Sequence, residues 1–354
     1  MFGKLKLGLL ACAAGLLTAV GTTNAATEIQ GAGSTFVAPI MAKWIQVYNA
    51  EHPNEKIDYQ AIGSGGGIQG ITDRTIQFAG SDAPMTNAQM TGAPAKVLHF
   101  PELAGPVTMI YNVPGVPSNE HIVMDGRVIA DIYLGRIRHW DNAEIKALNP
   151  SLSLPHLRVL VAHRSEGSGT TYIFTGYLCA VSHAWKSHVG QSTSVRWPTG
   201  RGGKGSDGVA AIVKNTKGGF GYDEYAYALT NHLTYALLKN RSGHIVKPSI
   251  GGVVVAQAAI VKHLPADFRL PIINPPSKKA YPIGGFTYLI IYQDLSYMKS
   301  RTEALDTVKF LHWVLTKGQR YAKGLEYARL PSNMQKKLLA QLDTVTYNGS
   351  PLLK

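Results

Sequence analysis

The chain has 354 residues, 45% hydrophobic and 16% charged, and carries a formal net charge of +13. That length holds two ordinary domains and a core that needs no disulfide or metal staple. The apolar content excludes a disordered chain. Two cysteines, Cys12 and Cys179, exclude a disulfide scaffold and a cysteine-rich zinc site.

Lys4 and Lys6 precede an apolar run, Leu7 to Val20, and then small and polar residues to Ala26. This pattern predicts a secretory leader cleaved after Ala25, give or take one residue. The run is too short to span a membrane. A lipoprotein box, Leu9-Leu10-Ala11-Cys12, competes, but only five residues separate Lys6 from Cys12. Loss of the leader leaves 33 basic against 22 acidic residues, a net charge of +11. Such an excess suits anionic ligands or surfaces, or an exported protein in an acidic habitat. Lys and Arg are scattered and not interleaved with aromatics, which argues against nucleic acid. Cys179, in an apolar stretch, reads as buried and inert.

Thr27 to Gly31 reads as a strand, followed by a Gly-rich turn and a helix from about Pro39, with Ile40, Trp44, Val47 and Tyr48 at core spacing. Lys56 to Ala61 reads as a second strand, and Gly63-Ser64-Gly65-Gly66-Gly67 opens another helix. Gln77 to Gly80 is a third strand, ending at Ser81-Asp82-Ala83-Pro84. Val107 to Asn112 and Arg158 to Ala162 are further strand candidates. After Gly167-Ser168-Gly169-Thr170 the pattern predicts one long helix to about Trp185. Strands alternating with helices predict α/β domains with mostly parallel sheets.

Three strand-to-helix turns of small residues carry the main signal: Gly33-Ser34-Thr35-Phe36, Gly63-Ser64-Gly65-Gly66 and Gly167-Ser168-Gly169-Thr170. Each would expose backbone N–H groups and a hydroxyl at a helix N-terminus, a natural place for a tetrahedral oxyanion. Ordinary helix capping is the plainer explanation of any one of them, and only the three together, beside an arginine and an aspartate, favour a ligand. Arg164, just before the third turn, can make a bidentate contact to an oxyanion, with Glu166 fixing its direction; a surface ion pair is the plainer alternative. Asp82 would repel a bare anion but can accept a proton from hydrogen phosphate, which sulfate lacks; alternatively it is a turn residue before Pro84. Ser168 is not in a Gly-x-Ser-x-Gly elbow, and no residue is seen to pair His163 with it, which argues against a hydrolase. No His-Glu-x-x-His occurs, and Gly202 to Ser206 lacks Walker spacing, so no metal, cofactor or nucleotide is expected.

Taken together with Asp131-Ile132-Tyr133-Leu134-Gly135, Lys204-Gly205-Ser206-Asp207-Gly208 and Glu224-Tyr225-Ala226-Tyr227, these turns closely resemble the phosphate-binding proteins of bacterial ABC phosphate uptake, the PstS family. The resemblance is dense from Gly31 to Tyr227, fades over 231–280, and returns at Tyr281-Pro282-Ile283 and Leu325-Glu326-Tyr327-Ala328. It implies an α/β fold of two hinged lobes, each with a mostly parallel sheet flanked by helices. The lobes would hold 26–107 plus 283–354, and 108–282. Two crossing strands near Val107–Asn112 and Tyr281–Thr287 would form the hinge. It places phosphate contacts on Thr35, Phe36 (through its backbone N–H), Ser64, Asp82, Arg164, Ser168, Gly169 and Thr170, supported by Ser34 and Glu166. Glu166 stands where the family commonly has aspartate. The resemblance further implies a periplasmic monomer that binds inorganic phosphate without chemistry and delivers it to membrane permease subunits. An exported phosphate sensor or adhesion protein without a transporter is the alternative.

Overall fold

Ile29 and Ile57 are buried at matching positions of two short strands, β1 (Thr27–Gly33) and β2 (Glu55–Ala61), which pair in parallel. The computed structural model describes residues 26–117, 119–261 and 264–353; the leader expected over 1–25 and its cleavage point lie outside them. Helix α1 (Ala38–Glu51) joins β1 to β2 and buries Ile40, Trp44 and Tyr48, while Val47 is half-buried. The Trp44 indole N–H donates to the Gly318 carbonyl at 2.8 Å, which ties α1 to the C-terminal part of the chain. Truncating that ring would cost about 3–5 kcal/mol.

After α2 (Ser64–Thr72), strand β3 (Phe78–Ser81) adds to β1 in parallel. The expected strand at Val107–Asn112 is the second half of a 16-residue strand, β4 (Val97–Asn112). Its first half pairs antiparallel with the strand Ile283–Tyr292, which in turn pairs antiparallel with β3. Its second half pairs antiparallel with the strand Gly219–Glu224. Beyond that, strands Leu160–Arg164 and Arg201–Gly203 pair in parallel. Within this sheet parallel pairing is thus confined to the outer strands, and two long antiparallel strands in the middle join both groups, ten strands among the described residues.

The ladder between β4 and Ile283–Tyr292 is broken once: Leu103 faces Thr287 and Pro101 faces Tyr288, so Glu102 is the extra residue of a bulge. Proline has no N–H to offer a ladder, and a bulge is where its absence costs least. The bulge lies beside Ser81, which pairs with Tyr288.

The long helix expected to Trp185 is two helices, Gly169–Val181 and His183–His188. Ser182 ends the first and caps the second, its hydroxyl accepting the Trp185 N–H at 3.2 Å. Among the described residues no helix is long and apolar enough to cross a membrane. Cys179 is a half-buried free thiol, and burial pushes its pKa up, away from the reactive thiolate.

Candidate functional site

The three small-residue turns meet. A Cβ added to Gly169 would lie 2.5 Å from Ser64 Oγ and 2.6 Å from Asp82 Oδ2. The Gly65 N–H donates to the Gly167 carbonyl at 2.8 Å, and Thr35 Oγ1 lies 3.0 Å from Ser206 Oγ. Residues after β1, at the start of α2 and at the end of β3 therefore face residues of the other strand group directly. Ser34, Ser64, Asp82, Arg164, Ser168 and Thr170 are buried, and Thr35 and Glu166 are half-buried.

The hydroxyls of Ser34, Ser64 and Ser168 each have a partner that orients them. The Phe36 N–H, expected to face a ligand, here donates to Ser34 Oγ at 3.0 Å, and Ser34 Oγ donates to Asp82 Oδ1 at 2.5 Å. Phe36 packs its ring 6.0 Å from that of Tyr327, whose hydroxyl donates to the Phe36 carbonyl. Ser64, the first residue of α2, follows Gly63, whose φ of 91° favours glycine, and its Oγ accepts the Asp82 N–H at 3.2 Å. Ser168 caps the helix Gly169–Val181 by accepting the Thr171 N–H at 3.1 Å. A hydroxyl that accepts from the helix keeps its own proton for a ligand, so capping and anion binding are compatible here.

Arg164 ends the strand Leu160–Arg164, and its side chain is 2% exposed. Nε donates to Glu166 Oε1 at 2.7 Å, Nη2 donates to the same oxygen, and Nη1 lies 3.5 Å from Thr170 Oγ1. The Gly205 N–H adds a bond to Glu166 Oε1 at 3.2 Å. Burial pushes Glu166 up, but the guanidinium more than offsets it and holds the carboxyl below its usual range. Asp82 is different: burial pushes it up to about 6, against the pull of Ser34, Thr287, Arg164 and Ser64. All the side chains singled out from sequence are therefore assembled here, with a buried cation and a buried carboxylate near one another.

Sequence reasoning missed a further set of buried polar groups. Glu102, the bulge residue, accepts the Thr287 hydroxyl at 3.1 Å, and burial pushes its pKa up to about 8. Its Oε2 has no partner among the described residues. A carboxyl raised from 4.5 to about 8 binds a proton in the folded state that the unfolded chain has released, so its contribution to stability falls as pH rises through that window. Glu102→Gln is expected to change the melting temperature little at pH 4 and to raise it increasingly from pH 4.5 to pH 8; thermal melts across that range are the check. Ser206, Asp223 and Glu224 also belong to this set. The sequence held Ser206 and Glu224 inside motifs without marking them as site residues. Among the described residues no cluster of three His, Cys, Asp or Glu has the geometry for a metal ion.

A family model described as a PBP superfamily domain matches residues 18–317. The Phosphate-binding protein PstS of Haemophilus influenzae is 36% identical over 319 residues, covering 90% of this chain and 93% of its own. That of Xylella fastidiosa strain 9a5c is 39% identical over 313 residues, covering 88% and 84%. A solved phosphate-binding protein from Stenotrophomonas maltophilia superposes with a TM-score of 0.69 at 18% identity, over 92% of this chain and 97% of that one. The two-lobed fold and the assembled turns agree with these likenesses, and the chain belongs to the PstS family of phosphate-binding proteins.

Proposed function

We propose that the protein binds inorganic phosphate between its two lobes and delivers it to an ABC-type permease for import. The observation that carries this reading is the pairing of one buried cation, Arg164, with one buried acceptor, Asp82, where three turns rich in N–H and O–H donors meet. Arg164, Ser64, Ser168, Gly169, Thr170 and Thr35 supply donors to the phosphate oxygens, and Asp82 takes the proton of hydrogen phosphate. Phe36 acts first by fixing Ser34, and Glu166 by fixing Arg164. The site holds phosphate without chemistry on it, in keeping with relatives that are phosphate-binding proteins.

Residues 26–107 with 283–354 form one lobe in this reading, and 108–282 the other, with β4 and Ile283–Tyr292 as the crossing strands. Phosphate favours the closed arrangement, because only there do both lobes reach it. The mature chain acts as a periplasmic monomer after loss of residues 1–25, and its closed form docks on permease subunits. The test is calorimetry on the mature chain, unfolded and refolded to strip carried-over phosphate. Tight one-to-one binding of phosphate with no sulfate heat is expected; a folded protein that binds no phosphate overturns the reading.

Lobe contact supplies a second check. Gly169 has no room for a methyl group beside Ser64 and Asp82. Gly169→Ala is expected to hold the lobes apart and to weaken phosphate binding by at least about tenfold, roughly 1.4 kcal/mol. A titration identical to the parent's would show that the lobes do not close here.

A further inference from the structure

We propose that Ser206 and Glu224 are specificity-determining positioning residues that reach across the cleft and fix Thr35 as a donor to the bound anion. This deepens the phosphate reading and rests on it. Thr35 lies on the turn after β1, whereas Ser206 is the second residue of the helix Gly205–Asn215, 171 residues away. Their hydroxyl oxygens are 3.0 Å apart, and Ser206 Oγ is 3.2 Å from Glu224 Oε2. Ser206 and Glu224 are 2% and 1% exposed, so water does not compete for these bonds.

Each hydroxyl has one proton, so the chain must run one way. With Glu224 ionised, Ser206 donates to it and Thr35 donates to Ser206. Thr35 would then present only lone pairs to an anion. With a proton on Glu224 the chain reverses: Glu224 donates to Ser206, Ser206 to Thr35, and the Thr35 proton is free for the ligand.

The surroundings favour the second direction. Asp223 is also buried, and Asp223 Oδ2 and Glu224 Oε1 have no partners among the described residues. Two neighbouring carboxyls in such a place do not both ionise. Burial, and then the charge of Asp223, push Glu224 well above the usual carboxyl range.

A second chain on the same turn runs the opposite way. A backbone N–H can only donate, so Phe36 forces Ser34 to pass its proton to Asp82. Asp82 is thereby left an acceptor. One chain presents a donor and the other an acceptor, which matches an oxyanion carrying a single proton.

The test is phosphate calorimetry on four variants of the mature chain, each checked for folding by its melt. Ser206→Ala is expected to weaken binding about tenfold, the worth of one hydrogen bond to a charged group. Glu224→Met, which has no donor, is expected to lose as much. Glu224→Gln keeps an N–H donor and is expected to stay within about twofold of the parent. The double variant Ser206→Ala/Glu224→Met is expected to be no weaker than Ser206→Ala alone, because both act through one path. A parent that binds phosphate with Ser206→Ala equal to it overturns the relay and leaves the phosphate reading standing. So does Glu224→Gln as weak as Glu224→Met, or a double variant in which the losses add.

Discussion

Asp82→Asn is expected to make the phosphate-free protein more stable at neutral pH and a poorer judge of anions. The sign follows from burial. Asp82 is 3% exposed, and its carboxyl is raised from 3.8 to about 6 in the folded state. Between those values the folded chain binds a proton that the unfolded chain has released. Stability therefore falls as pH climbs through the window, and the whole cost, about 3 kcal/mol, is present above pH 6. Asparagine does not ionise and removes it. The same change reverses the polarity at the ligand. Ser34 holds Oδ1, so the position of Oδ2 becomes an amide N–H2, a donor. A donor suits fully ionised sulfate and leaves the proton of hydrogen phosphate without an acceptor. Discrimination between the two is expected to fall by about a hundredfold, roughly 3 kcal/mol. Calorimetry with both anions at pH 7.5, and melts of stripped protein from pH 4 to 8, are the measurements. Selectivity equal to the parent's would remove Asp82 as the discriminating group. A melting temperature that does not rise above pH 6 would remove the burial argument.

The anion turns were legible in the sequence because their chemistry is local. Gly63 needs its positive φ, Ser168 caps the helix that follows it, and Arg164 finds Glu166 two residues on. Neighbouring residues settle each of these features. The first half of β4 was not legible, because Pro101 and Pro106 argue against a strand. What permits it is a bulge formed with a strand nearly 200 residues later, which no local pattern encodes. The helix break at Ser182 was hidden for a related reason: its apolar neighbours continue the helical pattern, and one serine serves as the end of one helix and the cap of the next. Ser206 and Glu224 gain meaning only through the contact with Thr35, 171 residues before Ser206 in the chain. The donors and acceptors of the turns, with Glu166 beside Arg164, were thus visible in short motifs, whereas Ser206 and Glu224 depend on tertiary contact.

Arg164→Ala is expected to lower phosphate affinity by at least about a hundredfold. The guanidinium is almost wholly buried, so its bonds to an anion are screened little by water. A hydrogen bond to a charged group is worth about 1.5–3 kcal/mol, and a planar guanidinium can give two in parallel. Arg164→Lys keeps the charge without the fork and is expected to fall between the parent and the alanine variant. Alanine also strands Glu166. That carboxyl is held below its usual range by Arg164, so the pair contributes stability above the unfolded carboxyl pKa of about 4.5 and loses it as pH falls through the depressed folded value. With the Glu166 side chain 21% exposed, its loss costs less than the roughly 3–5 kcal/mol of a fully buried pair. Folding and binding are separated by the double variant Arg164→Ala/Glu166→Ala, which removes the stranded Glu166 carboxylate and leaves only the weaker pull of Arg164 on Asp82 unreplaced. It is expected to regain much of the melting temperature and none of the affinity. If it regained both, Arg164 would matter only as the partner of Glu166; if Arg164→Ala bound phosphate like the parent, the anion would sit elsewhere.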